Sequence, residues 1–360
     1  MHLRTLALAA SAAAGLALAS APPASAQQSQ PPQRPQVAAE DLTVPSGEPG
    51  ISIYVRNKHP AGMTGFAPER TLVFVHGATY PASTAFDLQL GGTSFMDDLA
   101  EHGFDVYAMD LPGYGKSSRP AQMEQAPDAN PPLETTADAV RHYGAVVDFV
   151  LKRRGLARLD AMGWSWGTTI AAGYAAEQPG KVERLVLYAP VWIIQGEAVA
   201  LGGGAKLGAY RRVTADQARQ RWLTGVPEAK QGTLIPPGWF DAWQRATWAT
   251  DPAAGMQDPP ALRAPNGVVQ DLREAWGAGK PTYDPARIAA PTLLVQGEWD
   301  HDTPPYMSQA LFPLIVNAPW KRYVEIGEGT HTIMMEKNRR QLFDVVEDFL
   351  TEPDPAKAAP

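Results

Sequence analysis

The chain has 360 residues, 44% of them hydrophobic and 19% charged, with a formal charge of −7 and no cysteine. That length suffices for one large α/β domain with an insertion, or for two domains. The lack of cysteine excludes disulfides, a thiol nucleophile and any cysteine-based metal site, and no Lys/Arg-rich cluster offers a stripe for nucleic acid.

The chain opens on a short basic start, Met1-His2-Leu3-Arg4, followed by an alanine- and leucine-rich apolar run from Thr5 to Ser20. Ala24-Ser25-Ala26 then supplies a small-x-small cleavage site. This is the pattern of a secretory signal peptide spanning residues 1–26, and the run is short and alanine-rich for a membrane span. The expected product is an exported protein, periplasmic or extracellular, with no integral membrane segment once the leader is removed. Residues 27–40 (QQSQPPQRPQVAAE) are polar and proline-rich and read as a disordered leader, and residues 352–360 as a flexible tail.

Within the body at 41–351, apolar runs bounded by turn residues predict strands at Ile51 to Val55, Thr71 to Val75, Phe104 to Met109 and Arg158 to Met162. Leu185 to Tyr188, Thr292 to Val295 and Arg322 to Ile326 continue the series. Helical stretches lie between them at Phe95 to Glu101, Thr135 to Arg154, Thr168 to Glu177, Met307 to Val316 and Asn338 to Leu350. Such alternation implies an α/β fold, a mostly parallel sheet covered on both faces, with its site at the carboxyl ends of the strands.

Residues 192–284 break the alternation. They hold glycine and proline clusters, short helical pieces such as Ala215 to Leu223, and six of the ten tryptophans, with no convincing buried strand. The segment reads as a helical cap inserted between two parts of the core, residues 41–191 and 285–351. Most of its tryptophans are expected to fill the cap's own core, with one or two facing the cleft.

Gly163-Trp164-Ser165-Trp166-Gly167 joins a strand to a helix. In that context G-x-S-x-G acts as a nucleophile elbow, a strained turn that only small flanking residues allow to close. A serine hydroxyl needs a base and an acid to orient that base. His331 lies in a glycine-bearing loop after the last strand and is the expected base. The loop after the preceding strand carries Glu298, Asp300 and Asp302; Asp300 is the expected acid, with Asp302 its nearest competitor. The two oxyanion donors are expected to be the N–H groups of Trp166 and of Ala78, which follows His76-Gly77. His76, Trp164 and Trp299 are the expected pocket residues. No cofactor is expected: no ligand-spaced metal cluster is present, and Gly113-x-Gly115-Lys116-Ser117 lacks the spacing of a phosphate loop.

Val75-His76-Gly77, the run from Asp110 to Ser118, the serine elbow, the Gly297-x-x-Asp300-x-x-x-Pro304 loop and His331 together resemble the α/β-hydrolases that carry a lid. That family includes esterases, lactonases, C–C bond hydrolases and proline iminopeptidases. The resemblance covers about residues 50–350 and implies an α/β-hydrolase fold with the order Ser165, Asp300, His331. It also implies an architectural role for Asp110 to Ser118, and serine at the elbow sets the chain apart from the members that use aspartate there. The aromatic surroundings of the site suggest a small neutral or hydrophobic ester or lactone as substrate. A proline iminopeptidase is the alternative, because Ser165-Trp166-Gly167-Thr168-Thr169 is similar to that subfamily's elbow. Ala78-Thr79-Tyr80-Pro81 departs from its pattern, and Glu197, Asp216 and Glu228 are the cap carboxylates available to an ammonium group. From another class, the chain could be a non-catalytic binding protein on a hydrolase scaffold, a reading against which the intact Ser165, Asp300 and His331 argue.

Overall fold

A computed structural model of the protein describes residues 35–195 and 206–355, besides the isolated His2. The expected signal peptide, most of the leader, Glu197 and the last five residues of the tail fall outside the described residues.

Eight strands form one sheet: β1 (Val37–Pro45), β2 (Ser52–Pro60), β3 (Thr71–Val75), β4 (Asp105–Asp110), β5 (Leu159–Trp164), β6 (Val182–Tyr188), β9 (Thr292–Gly297) and β10 (Lys321–Ile326). Their order is β1-β2-β4-β3-β5-β6-β9-β10, antiparallel at the first two pairings and parallel from β4 onward. Successive residues point to opposite faces of a strand, and the central strands are apolar on both. Val73 and Val75 of β3 and Ala161 of β5 join a core with α3 (Thr136–Arg154) and α4 (Trp166–Glu177). Leu72 and Phe74 of β3 and Met162 of β5 join another with α2 (Phe95–Glu101) and α10 (Arg339–Thr351), where Phe95 stacks on Phe343 at 4.2 Å. The short α1 (Ala82–Ala85) and α9 (Pro305–Leu311) follow β3 and β9. Reciprocal caps start α2 and α3: Ser94 with Asp97 on the first, and Thr135 with Asp138 on the second.

The structure corrects the sequence reading at three places. β1 begins at Val37, inside the stretch expected to be disordered, and pairs along its whole length with β2. As an edge strand it is half exposed and polar, so it lacks the apolar run that marks the inner strands. The expected tail is tied down at its first residue: the Glu352 carbonyl accepts from Arg184 at 2.6 Å, and its carboxylate pairs with Arg322 at 2.7 Å.

The third correction is in the cap. Besides α5 (Ala215–Leu223), α6 (Glu228–Leu234), α7 (Trp239–Trp248) and α8 (Gly267–Glu274), it contains a two-stranded antiparallel sheet of β7 (Tyr210–Thr214) and β8 (Ala261–Pro265). β8 is buried throughout, yet its centre is Arg263. Asp251 neutralises that arginine at 2.7 Å, so a buried strand reads as polar in the sequence. Trp243 and Trp248 fill the cap interior, and Trp243 meets Tyr80 of the core edge-on at 4.7 Å. Trp222 and Trp276 instead reach the cavities beside Ser165.

Candidate active site

Ser165 sits between β5 and α4 with φ +58° and ψ −125°, a backbone region that L-residues rarely occupy. The glycines on either side make this turn possible. A Cβ on Gly163 would lie 2.1 Å from the carbonyl oxygen of Gly167, and one on Gly167 would lie 2.5 Å from that of Val75. Trp166 is the first residue of α4, where the N–H has no partner within the helix. Ala78 and Thr79, from the loop after β3, line the same cavity as Ser165, and a Cβ on Gly77 would come within 2.9 Å of the serine Cβ.

His331, in the loop after β10, lines this cavity too. Its Nδ1 meets Oδ2 of Asp300 at 2.8 Å. The Asp300 carboxylate is buried and surrounded by donors: Gln296 Nε2 at 2.9 Å, and the backbone N–H and hydroxyl of Thr303, each at 2.9 Å. Two side chains hold the His331 loop from behind, since Trp164 Nε1 and the Tyr188 hydroxyl donate to the His331 carbonyl at 2.8 and 2.9 Å. Burial is the largest influence on the imidazole and disfavours its charged form. Asp300, by charge and hydrogen bond, and then Asp302 outweigh it, so His331 titrates above its ordinary value of 6.5.

The three acids of the Asp300 loop take three different positions. Asp300 stands behind the imidazole at Nδ1. Asp302 stands in front, with Oδ2 4.0 Å from Nε2, and Arg221 of α5 grips it through Nε at 2.9 and 2.8 Å. Burial works against the charge of Asp302, but Arg221 and then His331 outweigh it and hold the carboxyl below its usual range. Glu298 faces away and accepts from the backbone N–H of Glu328 at 2.8 Å.

Two adjoining cavities meet at Ser165, Ala78, Arg221 and Asp302. One is walled by Thr79, Tyr80, Trp164 and Trp222; the other is apolar, walled by Val191, Val268, Leu272, Trp276 and Met307. Of the expected pocket residues, Trp164 lines the first cavity, while His76 and Trp299 line neither. His76 is buried below the loop after β3, where its Nε2 accepts from the Leu111 N–H at 3.0 Å and its Nδ1 meets the Gly77 carbonyl at 2.7 Å. Those partners fix a neutral tautomer, in keeping with a titration that burial pushes below the ordinary value. Trp299 is half-buried and packs with the core beneath the cap.

The Asp110 to Ser118 loop is structural. Asp110 accepts from the N–H groups of Ser83 and Lys116, each at 3.0 Å, and the Tyr114 hydroxyl donates to the Ala78 carbonyl at 2.9 Å. Sequence reasoning missed Gln296, Thr303 and Tyr188, whose polar groups carry no motif, and Arg221, whose place depends on how the cap lies. Together these groups put a serine at a strained turn, a carboxylate-held imidazole lining the same cavity and the N–H of a helix's first residue at one site, side chains able to perform nucleophilic acyl transfer.

The family described as alpha/beta hydrolase fold matches residues 70–338 of this sequence. The chain belongs to the α/β-hydrolases. This α/β-hydrolase is 28% identical over 330 residues to a 2-hydroxymuconate semialdehyde hydrolase of Pseudomonas putida, covering 90% of its own length and 98% of that protein. Its fold is similar to that of a thermophilic esterase from Thermogutta terrifontis, with a TM-score of 0.56 and 15% identity over 86% of this chain and 98% of that one. It is also similar to a 2-hydroxy-6-oxo-6-phenylhexa-2,4-dienoate hydrolase from a Rhodococcus species, with a TM-score of 0.55 and 17% identity over 87% and 99% of the two chains.

Proposed function

We propose that this α/β-hydrolase is an exported serine hydrolase that cleaves a neutral carboxylic ester or lactone through an acyl-enzyme. In this reading Ser165 attacks the carbonyl carbon while His331 takes the hydroxyl proton at Nε2. The N–H groups of Ala78 and Trp166 receive the oxyanion. His331 then gives its proton to the leaving alcohol, and water repeats the sequence to release the acid and restore the serine. Asp300 keeps the imidazole in the required tautomer and balances its charge. In this reading the acyl group enters the apolar cavity and the alcohol leaves through the cavity under Tyr80 and Trp222.

The observation that carries the neutral-substrate reading is the Arg221–Asp302 pair. It places a guanidinium against both cavities but spends its charge on a carboxylate of the same chain. The names of the muconate and dienoate hydrolases above denote carboxylate substrates, and such a substrate would have to compete with Asp302 for Arg221. C–C bond hydrolysis is therefore the second reading, favoured by the identity to the Pseudomonas putida protein. The peptidase alternative finds less support. Asp216 and Glu228 are exposed on the cap and line neither cavity, and Asp302 is already paired.

The test is hydrolysis of a p-nitrophenyl ester ladder from acetate to long-chain acyl, alongside a 2-hydroxy-6-oxo dienoate and proline p-nitroanilide, with Ser165→Ala in parallel. Ester turnover lost in the mutant is the expected result. Dienoate cleavage without ester turnover would transfer the assignment to the C–C reading. Export is tested by secretion of a fusion carrying residues 1–26, with cleavage expected after Ala26.

A further inference from the structure

We propose that Arg211, a residue of the cap, is a positioning residue that clamps the oxyanion-binding loop of the core. The inference rests on the serine-hydrolase reading above and gives the cap a part in the chemistry besides covering the site.

Arg211 lies on β7, paired with Ala264 of β8. One terminal nitrogen donates to the Ala78 carbonyl at 2.6 Å and to the Thr79 hydroxyl at 3.0 Å. The other donates to the Pro265 carbonyl at 2.6 Å and lies 3.5 Å from Oδ1 of Asn266. One fork of the guanidinium therefore grips the cap's own sheet, and the other reaches across to the core. No carboxylate among the described residues pairs with it. Turning a half-buried guanidinium onto neutral acceptors has a desolvation cost, and neutral donors could satisfy the same carbonyls at a smaller penalty. The planar fork and its charge are the properties that a neutral donor lacks.

The geometry shows what the fork controls. Ala78 stands between two peptide groups. The one before it has its carbonyl, that of Gly77, held by Nδ1 of His76, and its N–H is the oxyanion donor of Ala78. The one after it has its carbonyl, that of Ala78, held jointly by the Tyr114 hydroxyl and Arg211. Fixing both flanking peptides fixes both dihedral angles of Ala78, and so the direction of its N–H. The core holds the first peptide, and core and cap together hold the second. Gly77 and Ala78 lie directly against Ser165, so a small rotation here moves the donor away from the developing oxyanion. The positive charge behind the loop also favours the oxyanion over the neutral carbonyl of the substrate, a preference expressed in the transition state.

The experiment compares Arg211→Met and Arg211→Lys with wild type and with Arg212→Met, which changes the exposed neighbour on the same strand. It measures kcat and KM on the best ester, the rate of Ser165 labelling by a fluorophosphonate, whose phosphoryl oxygen enters the same donors, and thermal unfolding. Arg211→Met is expected to lower kcat and the labelling rate together, by about 10- to 100-fold, below the 10²- to 10³-fold seen on deleting an oxyanion donor outright. KM should stay within about threefold by the same argument, because the ground state gains little from the donor. Arg211→Lys should recover part of the loss, and Arg212→Met should match wild type. Unchanged kcat and labelling in Arg211→Met, a loss confined to KM, or an equal loss in Arg212→Met would overturn the proposal. If Arg211→Met does not fold, Arg211→Lys decides: reduced kcat and labelling at constant KM support the clamp, and wild-type values overturn it. Wild type that fails to label at Ser165 overturns the serine-hydrolase reading and this inference with it. Labelling that requires Ser165 but ignores Arg211 overturns this inference alone.

Discussion

The indole Nε1 of Trp164 donates to the backbone carbonyl of His331 at 2.8 Å, so the residue next to Ser165 also holds the His331 loop. Ser165 and His331 are thereby referenced to one rigid ring, itself stacked near Tyr188 at 6.3 Å.

Trp164→Phe should lose the donor and, because Trp164 is buried, some packing as well. The Tyr188 hydroxyl still donates to the same carbonyl, so the lost bond costs about 1 kcal/mol and the smaller ring roughly 1 to 2 kcal/mol more. Turnover should also fall, by roughly tenfold, because a loosened base loop spoils the geometry of proton transfer. Steady-state kinetics beside thermal unfolding will separate the two effects; a loss of turnover no larger than wild type shows at matched destabilisation would refute the assignment.

Asp302→Asn should move the acid limb of the kcat/KM profile to lower pH. His331 must be neutral to accept the serine proton, and it titrates above 6.5 partly because of Asp302. The substitution removes that influence and leaves Arg221 charged and unpaired beside the imidazole, which acts in the same direction. Activity should therefore extend further into the acid range, and a limb that stays in place or rises would contradict this.

Gly163→Ala should not yield an active folded enzyme. Its methyl group would lie 2.1 Å from a backbone oxygen of Gly167 that has nowhere to move, at a cost on the order of 4 kcal/mol or more. Circular dichroism and thermal unfolding report the outcome, and a mutant with wild-type Tm would mean that the elbow is looser than the geometry implies.

Leu272→Ala should enlarge the apolar cavity and shift the ester ladder toward longer acyl chains. Each methylene of substrate that then finds a wall contributes about 0.8 kcal/mol. An unchanged chain-length profile would place the acyl group in the other cavity.

How much of this was legible in the sequence follows a physical divide. Thr71–Val75 and the helix Arg339–Thr351 stand out because a fully buried parallel strand is a continuous apolar run and an amphipathic helix has a period. Ser165, Asp300 and His331 are marked by local turn chemistry, and the structure brings them to one place. β1, β7 and β8 were hidden, the first by the polarity of an edge and the last by a buried arginine whose counter-ion lies outside its own strand. His76 and Trp299 were misplaced because a loop's sequence tells where it begins but not which of its side chains turn inward. Arg211 and Arg221 carry no signal at all: what each touches is decided by residues more than a hundred positions away in one case and by the lie of the whole cap in the other.

The cap's position in the chain also bears on how the enzyme comes together. β6 pairs with β9 through residues 185–188 and 292–295, and everything between them must be traversed before that pairing can form. Closing so long a loop is slow, because its entropy is lost before its contacts form. The Ser165 turn belongs to the part of the sheet built from nearer neighbours, whereas Asp300 and His331 arrive only with β9 and β10. Refolding should therefore pass through a stage with much of the sheet in place and no hydrolytic competence, and activity should return only with the last kinetic phase.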